Sequence, residues 1–120
     1  MKIAIIAHDG KKAEMVQFLL DHKEQLAKVD LVSTGTTGSH VQKAGLSVTP
    51  LLSGPLGGDA QIAAMVAEGS INMVIFFRDP LGKHPHEPDV QMLLRLCDVH
   101  NVPLATNPAT GSILLKNFTT

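Results

Sequence analysis

Two glycine-rich runs carry the groups best suited to chemistry, Thr34-Gly35-Thr36-Thr37-Gly38 and Ser53-Gly54-Pro55-Leu56-Gly57-Gly58-Asp59. In the first, the glycines let backbone N–H groups turn inward, three hydroxyls donate, and a following helix start adds partial positive charge, a combination that suits phosphate. Short Gly/Thr runs also make plain turns. The return of a second glycine-rich run shortly afterwards favours a binding role. That second run ends on Asp59, at the beginning of a helix. An acid there serves as an N-cap, yet a carboxylate in that position still faces a ligand.

A third cluster is His8-Asp9-Gly10-Lys11-Lys12, with His8 at the exit of an apolar run and Lys12 one turn further on. Lys12 can meet a phosphate as a point charge, although taken alone it reads as a solvated helix residue. The fourth is the long polar stretch Arg78 to Asp89, with Pro80, Pro85 and Pro88 and the histidines His84 and His86. Long loops in compact domains are usually functional. With no thiol nearby and no regular ligand spacing, a hydrogen-bonding histidine is favoured over a metal ligand. Asp89 also suits the first turn of a helix, where its charge matches the dipole. Cys97, Met92 and Leu93 fall on an apolar helical stripe and read as core. His22, His40 and His100 lie on helix surfaces or ends. Neither a dinucleotide fingerprint nor a P-loop is present, so no cofactor is expected. The residues alone thus describe a pocket for a small phosphorylated ligand, lined by carboxylates and histidines. It would serve equally for removing a proton beside a carbonyl and for sensing an effector.

The elements that must hold these groups alternate short β-rich runs with helical patterns, the mark of a parallel sheet covered on both faces. Strands are predicted at Ile3 to Ala7, Val29 to Ser33, Val48 to Leu52, Met73 to Phe77 and Pro103 to Ala105. The first and fourth are continuously apolar, as central strands buried on both sides are. Apolar positions at Met15, Phe18, Leu19, Leu20 and Leu26 predict an amphipathic helix. Further helices are predicted over Ser39 to Ala44, from Asp59 to a stop at Gly69, over Pro88 to His100 and over Ala109 to Lys116. The expected fold is a single-domain doubly wound five-stranded parallel sheet with helices on both faces, spanning residues 1–120. Ligands of such sheets bind beyond the carboxyl ends of the strands, which is where the loops starting at His8, Thr34, Ser53, Arg78 and Thr106 lie.

Composition narrows the partners. At 120 residues the chain can bury a core without disulfides or metals. A net charge of -1 leaves no positive field for nucleic acid or an acidic membrane surface. One cysteine excludes a disulfide framework and a thiolate zinc site, and fits a reducing cytoplasm. The opening Met1-Lys2-Ile3-Ala4-Ile5-Ile6-Ala7 is short for a secretory leader and reads as a buried strand. No apolar run approaches the roughly 20 residues that cross a bilayer.

At these loops the sequence resembles the methylglyoxal synthase family over nearly its full length. The matching features are His8-Asp9 with Lys12, Thr34-Gly35-Thr36-Thr37-Gly38, Ser53-Gly54-Pro55 with Gly57-Gly58-Asp59, Phe76-Phe77 with Asp79-Pro80, Pro85-His86 with Pro88-Asp89, and Ala105-Thr106-Asn107. The Thr-Gly-Thr-Thr-Gly piece by itself also resembles regulatory domains of carbamoyl phosphate synthetase, so a non-catalytic domain binding a phosphorylated effector is the alternative. The resemblance implies a metal-independent lyase that converts dihydroxyacetone phosphate to methylglyoxal, with inorganic phosphate as product and candidate inhibitor. It implies that Asp59 is the general base and acid, with His86, Asp79 and Asp89 also catalytic. Substrate contacts are implied from His8, Lys12, Thr34, Gly35, Thr36, Thr37, Ser53, Gly54 and His86. A strand order of 3-2-1-4-5, a homohexamer and a cytoplasmic location follow from the same likeness. Some family members continue past the position of Thr120 with an arginine that enters a neighbouring subunit's site, a contribution not expected from residues 1–120.

Overall fold

The computed structural model describes residues 1–53, 56–82 and 90–118, the last without its side chain. Five strands, β1 (Lys2–Ala7), β2 (Asp30–Ser33), β3 (Thr49–Pro50), β4 (Met73–Phe77) and β5 (Leu104–Ala105), form one sheet in the order β3-β2-β1-β4-β5. All four pairings are parallel. The helices are α1 (Lys12–Asp21), α2 (Gly35–Lys43), α3 (Gly58–Ala67), α4 (Val90–Val99) and α5 (Pro108–Phe118).

The two central strands explain why the chain winds this way. Residues Ile3 to Ala7 and Met73 to Phe77 are apolar at every position, so neither face of either strand tolerates water, and helices must cover both. Ile3, Ile5, Ala7, Met73, Ile75 and Phe77 face Met15, Phe18 and Leu19 of α1, Val41 of α2 and Leu115 of α5. Ala4, Ile6, Val74 and Phe76 face Ile62, Ala63 and Val66 of α3 and Leu93 and Cys97 of α4. Each large side chain buried in this way contributes about 1.5–3 kcal/mol. The β1–β4 register runs from Ile3 opposite Met73 to Ala7 opposite Phe77. The winding reverses between these two strands, and their carboxyl ends stand side by side.

Several predicted boundaries move. The third strand is only Thr49–Pro50, not Val48 to Leu52, because Leu52 gives its N–H to the Gln61 side chain at 2.8 Å instead of to a neighbouring strand. The second and fifth strands each begin one residue later than predicted. The first helix stops at Asp21, before Leu26. The His22 ring caps it, with Nδ1–H donating to the Phe18 carbonyl at 2.8 Å and Nε2 meeting Ser112 Oγ of α5 at 3.0 Å. Leu26 is still buried beyond the helix end. The predicted start of the fourth helix at Pro88 lies outside the described residues.

The largest shift concerns α2, which starts at Gly35 instead of Ser39. The threonine run is therefore the first turn of a helix, not a loop leading to one. Glycine makes this possible by close approach: a Cβ on Gly35 would lie 2.9 Å from the Leu51 carbonyl oxygen, and one on Gly38 2.8 Å from Ser33 Oγ. α3 begins in the same way, where any Cβ on Gly58 would overlap the backbone carbonyl of Leu52. Gly58→Ala should therefore lose more than about 2 kcal/mol of folding stability, while exposed Ser39→Ala stays within about 0.5 kcal/mol. Denaturant titration measures both, and native stability in the first variant would contradict the close packing of α3 on Leu52.

Candidate functional site

The site is assembled where the carboxyl ends of β1, β2 and β4 meet the first turns of α1 and α2. β1 ends on Ala7, whose carbonyl oxygen projects past the last strand pair. Lys12 Nζ donates to it at 3.3 Å and Thr37 Oγ1 at 3.5 Å. Lys12 is the first residue of α1, and its side chain turns inward, leaving the residue only 8% exposed. A buried ammonium requires compensation, and Asp9 Oδ1 supplies it at 2.5 Å. Lys12 is thus not the solvated helix residue that its sequence position alone suggests. Asp9 is a site residue that sequence reading did not assign a role; its signal was the three-residue spacing to Lys12 across the 3-10 turn Asp9–Lys11.

Opposite Lys12 stands the first turn of α2. Thr34 and Thr37 are buried, while Thr36 is exposed. Thr34 is the N-cap by position, yet its hydroxyl makes no cap hydrogen bond and instead donates to Thr37 Oγ1 at 3.4 Å. The first N–H groups of a helix have no partner within it. Gly35 N–H goes to the Leu52 carbonyl at 3.0 Å and Gly38 N–H to that of Thr34 at 2.8 Å. This leaves the amides of Thr36 and Thr37 at the helix start, where the helix dipole and Lys12 make the local field favourable to negative charge.

Leu52 links this corner to the second run. Its carbonyl accepts from Gly35 and abuts Gly58, so the N-termini of α2 and α3 converge on one backbone segment. Ser53 closes the intervening turn, its carbonyl accepting from Leu56 N–H at 3.0 Å and Gly58 N–H at 2.9 Å. Gly57, at φ 101°, occupies the N-cap position of α3. Asp59 is therefore not the N-cap but the second helical residue, half-buried, with Oδ1 accepting Ala60 N–H at 3.0 Å. Gly54, His86 and Asp89 lie outside the described residues.

His8 and Asp79 meet across the β1–β4 junction, 71 residues apart in the chain. The His8 ring is buried edge-on against Phe76, with centroids 5.1 Å apart, and its Nδ1 accepts the Asp79 backbone N–H at 2.9 Å. The Asp79 carboxylate folds back on its own loop, Oδ1 accepting Leu81 N–H at 3.1 Å and Gly82 N–H at 3.0 Å. A separate cleft of about 350 Å³ opens beyond β4 and β5, between Lys11, Arg78 and Thr106 among others. Among the described residues no group of three or more His, Cys, Asp or Glu is placed to hold a metal, and no helix is long and apolar enough to cross a membrane. Cys97 is core, as its stripe suggested. Burial, with a smaller contribution from the Asp98 charge, pushes its thiol up to about 11.

Comparison with known proteins gives a consistent result. The family model described as MGS-like domain matches residues 14–106. A methylglyoxal synthase of Lysinibacillus sphaericus (strain C3-41) is 62% identical over 98% of this chain and 89% of its own. One of Clostridium botulinum (strain Eklund 17B / Type B) is 53% identical over 98% of this chain and all of its own. The crystal structure of methylglyoxal synthase from Elizabethkingia anophelis NUHP1 superimposes with a TM-score of 0.92 at 43% identity, covering 95% of this chain and 76% of that one.

Two outcomes test the geometry directly. Lys12→Met should weaken the binding of inorganic phosphate at least tenfold, about 1.4 kcal/mol, as read by calorimetry; unchanged affinity would remove Lys12 from the anion corner. Cys97 should resist iodoacetamide at about pH 8 in the native protein and react after denaturation, because only the thiolate is nucleophilic. Rapid native labelling would mean that the α4 core face is open.

Proposed function

The chain belongs to the methylglyoxal synthase family and is a lyase that forms methylglyoxal; from that premise we propose that its substrate is dihydroxyacetone phosphate and that it releases inorganic phosphate. The observation that carries the substrate assignment is the buried Lys12 ammonium facing the first turn of α2. Together they supply a cation and two backbone amides for a phosphoryl group.

Asp59 removes a proton from the hydroxymethyl carbon, and the electron pair delocalises onto the carbonyl oxygen to give an enediolate. His86 hydrogen-bonds that oxygen, and donors aimed at developing charge are usually the largest catalytic contribution. The enediolate then collapses. As the C1 hydroxyl gives up its proton to form the aldehyde, the enediolate electrons expel phosphate from the adjacent carbon and the bridging C–O bond breaks; the resulting enol tautomerises to methylglyoxal, and the proton held by Asp59 is returned to the products. Thr34, Gly35, Thr36 and Thr37 hold the leaving group together with Lys12, Ser53 and Gly54, while His8 contacts the substrate from the end of β1. Elimination requires the breaking C–O bond to stand perpendicular to the enediolate plane, so the α2 turn selects the product by holding the phosphate out of that plane. The roles of Asp59, His86 and Asp89 rest on the resemblance at their positions. The position of Asp59 at an N-terminus beside the phosphate corner supports its part. The same reading has residues 1–120 acting as one catalytic domain without metal or cofactor, assembled as a homohexamer in the cytoplasm, with phosphate as a product inhibitor.

Incubation with dihydroxyacetone phosphate and a chelator should yield methylglyoxal and phosphate in equal amounts. Asp59→Asn should lower the rate by about 10²–10⁴ with the fold preserved. Near-normal turnover in that variant would remove Asp59 from the mechanism, and phosphate binding without product would leave an effector-binding domain.

A further inference from the structure

We propose that Asp79 acts as a positioning residue for His8, its carboxylate fixing a turn whose backbone N–H locks the His8 imidazole as the tautomer protonated on Nε2.

Among the described residues the hydrogen bonds of the Asp79 carboxylate are local. Oδ1 accepts both Leu81 N–H and Gly82 N–H, and the Asp79 carbonyl accepts Gly82 N–H a second time at 3.3 Å. This is the side-chain-closed turn that short acids and amides favour. Oδ2 is boxed in as well, since a Cβ on Gly10 or on Gly82 would come within 2.6 Å of it. The carboxylate thus sits between the turn that follows β1 and the turn that follows β4, and both turns are built around it.

The consequence falls on His8. The backbone N–H of residue 79 can only donate, so at 2.9 Å it requires a lone pair on Nδ1. A neutral ring with its lone pair on Nδ1 carries its proton on Nε2, and the contact with Phe76 fixes the ring plane. A second proton would have to enter on Nδ1, against the N–H already aimed there. The donor of the His8 ring is therefore Nε2–H, in a fixed orientation. As a role in turnover this rests on the lyase reading above, whereas the tautomer itself does not.

Long-range proton–nitrogen spectra of protein labelled with ¹⁵N-histidine, recorded near pH 8 where an ordinary imidazole is neutral, read the tautomer without substrate. The His8 signals are those missing from His8→Gln. The expected result is protonation on Nε2 in the native chain and in Asp79→Asn, whose amide oxygen accepts the same two N–H groups, and mixed tautomers in Asp79→Ala. With dihydroxyacetone phosphate, Asp79→Asn should turn over at least tenfold faster than Asp79→Ala. A proton on Nδ1 in the native chain, an unaltered His8 tautomer in Asp79→Ala, or equal loss of turnover in the two variants would overturn the proposal. Should Asp79→Ala fail to fold, the native chain and Asp79→Asn still decide the tautomer. Absence of turnover in the native chain together with the expected tautomer would count against the lyase reading and not against this one.

Discussion

The parallel pairing of β1 with β4 is the constraint on which the rest depends. Both strands are buried on both faces, so helices have to leave β1 on one side of the sheet and reach β4 on the other. The reversal sets the carboxyl ends of β1 and β4 side by side, the position at which open α/β sheets bind ligands. The register sets Ala7 level with Phe77, so His8, one residue past β1, and Asp79, two residues past β4, come within one hydrogen bond. Neither residue was selected for proximity by the chain. The sheet brings them together.

Around that junction the structure places polar groups where water would otherwise have to go. The Ala7 carbonyl, left over at the end of a buried strand, receives Lys12 from α1 and Thr37 from α2. Asp9 offsets the Lys12 charge from the solvent side. Two helix N-termini then converge on Leu52 because Gly35 and Gly58 allow backbone to touch backbone. The corner is electrostatically one-sided, with amide dipoles and an ammonium directed inward and the compensating carboxylate held outside.

Much of this was readable from residue types. Ile3 to Ala7 and Met73 to Phe77 announced central strands because continuous apolarity has no other stable use in a chain of this size. The apolar stripe of α4 placed Cys97 in the core for the same reason. The start of α2 was not readable: Gly35, Thr36, Thr37 and Gly38 are poor helix formers, and the helix begins there only because the backbone of residues 51–53 packs against it. Lys12 was misplaced when taken alone because burial of a lysine depends on partners contributed by β1 and α2. The strand order came from the family likeness, since local pattern contains no information on which strand lies next to which. The His8–Asp79 contact is invisible in sequence on two counts: it spans the whole sheet crossover, and its donor is backbone, which every residue but proline has.

The edges of the sheet have a separate consequence. β3 and β5 contribute two residues each, and one of the four is Pro50, which has no N–H to offer. Unpaired edge strands are templates for aggregation, and natural proteins blunt them by shortening them or placing proline there. A sheet with a long, buried middle and almost no rim can be as hydrophobic as this one at its centre without inviting another copy to extend it. In the folded chain the rim thus offers a second copy little ladder to extend.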